Sequence, residues 1–156
     1  MKKLFIIWVI LFVTMVPGSI VHAEDMSYQM DGLEQFRLNE DIVERVLATR
    51  EDIKASNVTI AENEEFTSPA DILKALDSSP EAIAILSRHG LTSKDALLFM
   101  AALARAMDDA EKQPTIDTSM SEDSLSPREA NRIFYIRHKA EVEARLGPLE
   151  DEGESE

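Results

Sequence analysis

The sequence predicts an all-α protein, a single compact helical bundle of about five helices around a central buried helix at residues 92–112. Three observations carry that expectation. Apolar residues recur at steps of three and four in several stretches, the spacing of one helix face. Asn, Ser or Thr stands at the head of each such stretch, often with Pro directly after it, which is how helices begin. No stretch alternates apolar and polar residues in the way a half-buried strand requires.

The chain opens MKKLFIIWVILFVTMVPGSIVHA. Lys2 and Lys3 precede an apolar run from Leu4 to Val16, Pro17-Gly18 breaks it, and Val21-His22-Ala23 offers small residues for cleavage. That is the layout of a secretory signal peptide over residues 1–23, with an apolar core too short to span a membrane comfortably. An uncleaved anchor is the alternative; with cleavage no stable membrane anchor remains. The expected location is the periplasm or the medium of a bacterium. No Cys follows the run, so lipid attachment at a cleavage-site Cys is excluded.

Residues 24–38 read as a loosely ordered acidic segment, although Leu33, Phe36 and Leu38 could tuck onto the core. The helical domain is expected over residues 39–147. Asn39 is placed to cap a helix that runs to about Ser56, with Ile42, Val43, Val46, Leu47 and Ile53 as its apolar stripe. NVTIAENEEFT, residues 57–67, reads as a loop. Ser68-Pro69 and Ser79-Pro80 then open two short helices, and Gly90 is placed to end the second in a left-handed cap. Thr92 and Asp95 form a capping box ahead of the central helix. Along that helix Ala96, Phe99, Met100, Leu103 and Met107 define a broad face, and Leu97, Leu98, Ala101, Ala102 and Ala104 extend the apolar surface around it. A helix apolar on nearly every side is normally buried. Lys94, Asp95, Arg105, Asp108 and Asp109 rule out a membrane span.

QPTIDTSMSEDSLS, residues 113–126, reads as a polar linker, and Ser126-Pro127-Arg128-Glu129 as a strong start for a final helix to about Leu146. The tail at residues 148–156 is acidic and expected to be disordered.

The full chain carries 16 Lys and Arg against 30 Asp and Glu, a net charge of −14. Two Lys leave with residues 1–23 and no acid does, which takes the remainder to −16. Such a chain repels nucleic acid and anionic lipid, whose binding depends on Lys and Arg, and suits a basic partner or a cation. With no cysteine, thiol chemistry and Cys-based metal sites are excluded, and the fold must rest on packing alone.

Few residues suggest chemistry. Asn131, Tyr135, His138 and Val142 share one side of the final helix, with Phe134 beside His138. Together with Arg88 and His89 they make the candidate binding face. The competing reading is a histidine hydrogen-bonded within the bundle beside an aromatic core residue. No metal site and no cofactor are expected: the Glu-x-x-His pair of di-iron bundles is missing at both His89 and His138, and the acidic runs at Glu62–Glu65 and Asp108–Glu111 lack the glycine-centred spacing of a calcium loop. No catalytic residue is assigned either, since G-x-S-x-G, H-E-x-x-H and phosphate-cradling glycine motifs do not occur.

The leader, Ser79-Pro80, Arg88-His89-Gly90-Leu91-Thr92, and Ser126-Pro127 with Asn131, Phe134 and His138 together give a layout that resembles small exported helical proteins of Gram-negative bacteria without an assigned function. The resemblance covers most of the chain after the leader and implies a periplasmic helical domain with no stated activity. Small acid-stress periplasmic chaperones are a looser comparison, from which this chain departs in having no cysteine pair. The expected function is non-enzymatic binding, to a protein partner in the cell envelope. A small-ligand or cation-binding module and an envelope stress chaperone are the alternatives. Oligomeric state is left open.

Overall fold

The computed structural model describes residues 30–56, 58, 68–116 and 124–146. The expected signal peptide, most of the loop expected at residues 57–67 with Glu62–Glu65, the middle of the polar linker and the acidic tail lie outside the described residues. Within them the protein is all-helical. A 3-10 turn at Leu33–Gln35 precedes α1 (Glu40–Ala55), α2 (Pro69–Asp77), α3 (Pro80–Arg88), α4 (Ser93–Lys112) and α5 (Pro127–Leu146), and no strand occurs among the described residues.

Each helix starts where its local chemistry says it should. The Asn39 side chain accepts from the Ile42 amide at 2.9 Å, and the Ser68 and Ser79 hydroxyls accept from the amides of Asp71 and Ala82. These contacts satisfy amides that have no partner within the first helical turn. At α4 the capping box is complete. Thr92 Oγ1 accepts from the Asp95 amide at 3.1 Å, and Asp95 Oδ2 accepts from the Thr92 amide at 2.9 Å.

Gly90 ends α3 with φ +68. The Leu91 amide donates to the Leu86 carbonyl and the Gly90 amide to that of Ser87, a Schellman motif, and Leu86 and Leu91 are buried together behind it. Ser126 caps α5 by accepting from the Glu129 amide at 3.2 Å. The Glu129 carboxylate is engaged by Arg132.

α4 contributes buried side chains to all three apolar clusters. Leu98, Phe99, Ala102, Leu103, Ala106 and Ala110 face α5, α1 and the N-terminal segment. Leu97 turns the other way into a cluster with Ile72, Leu76 and Ile85 of α2 and α3, and Ala96 joins Leu86 and Leu91. Burial on both sides is why this helix carries apolar residues around most of its circumference. α4 and α5 form the most extensive helix pair. They run antiparallel, since Arg128 at the start of α5 pairs with Asp109 near the end of α4.

Two details sharpen the sequence reading. The most buried residues of α4 are Phe99, Ala102, Leu103 and Ala106, while Met100 and Met107 sit at the partly buried edge. Alanine weighs little in a count of hydrophobicity, yet its small side chain lets neighbouring backbones approach. Ahead of Asn39, the three residues the sequence offered as anchors do reach the core: Leu33 and Leu38 are buried and Phe36 is partly so. Fully burying a leucine contributes roughly 1.5–3 kcal/mol, enough for two of them to anchor so short a stretch.

Candidate functional site

The five residues of the candidate face fall into separate arrangements. Arg88 and His89, at the end of α3, both close on Asp52 of α1. Arg88 Nη1 lies 2.7 Å and His89 Nε2 2.9 Å from Asp52 Oδ2. With these two groups beside it, the Asp52 carboxyl sits below the usual carboxylate range, the His89 hydrogen bond being the larger cause. The residues reach this position because the Schellman turn at Gly90 ends α3 at Arg88, with His89 as its C-cap. One carboxylate oxygen thus ties α1 to the α3–α4 corner.

Asn131, near the start of α5, faces the N-terminal segment. Its Oδ1 accepts from the Leu38 amide at 2.7 Å and its Nδ2 donates to the Phe36 carbonyl at 2.9 Å. A single side-chain amide therefore satisfies two main-chain groups of an extended stretch, as a neighbouring strand would. Arg37 Nη2 reinforces the contact by donating to the Leu125 carbonyl at 3.1 Å, and Arg105 of α4 pairs with Glu34 at 2.5 Å.

Tyr135 is buried, and its hydroxyl donates to Glu143 Oε1 at 3.1 Å. Burial first, and the Glu143 carboxylate second, push its pKa up to about 12. His138 is partly exposed. Its ring stacks on Phe134 with centroids 4.5 Å apart, and its Nδ1 lies 3.7 Å from Glu141 Oε2. The structure thus brings Arg88 and His89 together on one partner and gives Asn131, Tyr135 and His138 partners of their own.

Arg132 stands beside this face, and the sequence does not single it out. Its side chain is 2% exposed, and with Phe99 it is one of the two largest fully buried side chains of the described residues. The guanidinium forks onto Glu129, with Nε 3.0 Å from Oε2 and Nη2 2.5 Å from Oε1. Nη1 donates to the Gln113 and Thr115 carbonyls, the latter at 2.9 Å. Arg132 thus binds the chain as it leaves α4, and the Glu129 hydrogen bond raises its pKa against the pull of burial. The only local hint was the Glu129-x-x-Arg132 spacing, which surface ion pairs share.

Between the 3-10 turn, α4 and α5 there is a shallow depression floored by Leu33, Ala102 and Ala106 and rimmed by Arg105, Asp109 and Arg128. It has room for about one water molecule. Its charged rim is internally matched. Arg128 grips Asp109 with Nε at 2.7 Å and Nη2 at 2.6 Å, and this grip holds the Asp109 carboxyl below its ordinary range.

No family model, curated protein or solved structure matches the chain. The site therefore has to be read from its own chemistry. Asn131 and Arg132 use the polar capacity described above to hold main-chain segments, and Arg88 and His89 use theirs to join two helices. Among the described residues no group of three or more His, Asp or Glu side chains is arranged to hold a metal ion, and no helix is long and apolar enough to cross a membrane.

Proposed function

We propose that this is an exported, non-enzymatic binding protein of the bacterial cell envelope whose partner is a protein with a basic surface. One observation carries the reading: charge is unevenly distributed along the chain. After residue 23, the sequence outside residues 24–29, 57–67, 117–123 and 147–156 holds every Lys and Arg, 14 in all, against 17 Asp and Glu, a balance of −3. Many of these cations are engaged by carboxylates of the same body, as at Arg145–Glu44, Arg88–Asp52, Arg128–Asp109 and Arg132–Glu129. The other 13 acids after residue 23 lie in stretches that contain no Lys or Arg at all. Such stretches have no compensating charge of their own. They attract cationic surfaces, and attraction of this kind raises association rates and selects partners by sign.

The test is capture from a bacterial envelope extract by the chain from residue 24 onward, beside parallel binding to polylysine and polyglutamate. Binding to polylysine and to basic envelope proteins is expected. It should be lost near 1 M salt, where the screening length falls to about 3 Å. Replacing the acids of residues 150–156 with their amides should weaken it. Capture that ignores salt, or turnover of a substrate by the purified chain, would overturn the proposal.

A further inference from the structure

We draw no further inference here: the strongest candidate, the partly exposed row of Met100, Ala104 and Met107 along α4, carries nothing because nothing in the structure shows what covers it.

Discussion

Asn131 and Leu38 stand 93 positions apart in the chain and are joined by a 2.7 Å hydrogen bond from the Leu38 amide to the Asn131 side-chain oxygen. The same side chain reaches the Phe36 carbonyl. Asn131→Ala leaves both main-chain groups without these partners, and a buried polar group so stranded costs about 1–3 kcal/mol. Equilibrium unfolding in urea should show a lower midpoint and an unfolding free energy smaller by that amount. Asn131→Asp keeps the acceptor, removes the donor and buries a charge, so it should not restore stability at neutral pH. A wild-type midpoint in both variants would mean that the clasp is incidental.

Arg132→Met removes the guanidinium that binds Glu129 and two carbonyls while keeping most of the apolar volume. Glu129 is partly exposed and can recover some hydration, so the loss should fall toward the lower end of the roughly 3–5 kcal/mol seen when one partner of a buried ion pair is removed. Arg132→Lys should recover only part of this, because an ammonium cannot fork onto a carboxylate and still reach the two carbonyls. Thermal unfolding of the three proteins ranks them. Equal midpoints for Lys and Arg would show that charge alone matters at this position.

Asp109 and Glu129 at the α4–α5 junction, Glu44 facing α5 and Asp52 facing α3 all have carboxyl pKa values lowered by an Arg or His partner. A lowered folded-state value contributes stability that is present above the unfolded value, about 4, and is lost as pH falls through the folded value. Stability should therefore hold between neutral and mildly acidic pH and decline below about 4. Asp109→Asn should lower stability at neutral pH and flatten the acid limb. An acid limb of unchanged slope in that variant would exclude Asp109 as a contributor.

Tyr135 predicts a transition at the opposite end of the scale. Its pKa is raised to about 12, so its contribution is complete below the unfolded value near 10 and is lost as pH rises from there through the folded value. Alkaline denaturation should set in over that window and be blunted in Tyr135→Phe. Tyrosinate absorbance of the folded protein, compared between the two, locates the ionisation directly. A Tyr135 signal at the ordinary value would refute the raised pKa.

Gly90→Ala tests the corner between α3 and α4. The new Cβ would meet Arg45 Nη1 at 3.4 Å, the far end of a flexible side chain. The cost is therefore set by the left-handed backbone, about 1–2 kcal/mol. A neutral substitution in a chemical-denaturation assay would mean that the corner relaxes to another turn.

Helix starts were legible because a cap is written within four residues: Asn39, Ser68, Ser79, Thr92 and Ser126 each announce a helix with no help from distant sequence. Gly90 was legible for the same reason. The depth of Ala102 and Ala106 in α4 was less so, because these small residues gain it from the closeness of α5 and the N-terminal segment. The candidate face was the least legible. Asp52 had no local mark as the partner of Arg88 and His89, nor did residues 36–38 as the partner of Asn131. Arg132 was not singled out because the Gln113 and Thr115 carbonyls that justify its burial lie across a linker.

The clasp between Asn131 and residues 36–38 also has a temporal side. A ribosome delivers Leu33 and Leu38 long before α5, so the earliest packed residues of the body wait on its final helix for their polar partner and much of their apolar cover. Contacts of such sequence separation slow folding, because a long stretch must be ordered before they form. A chain halted before Pro127 would leave Phe99, Leu103 and Ala106 facing water. The apolar cluster on the α5 side of α4 is thus closed only after the helix that begins at Pro127 has been made, whereas the clusters around Leu97 and Ala96 draw on earlier residues alone.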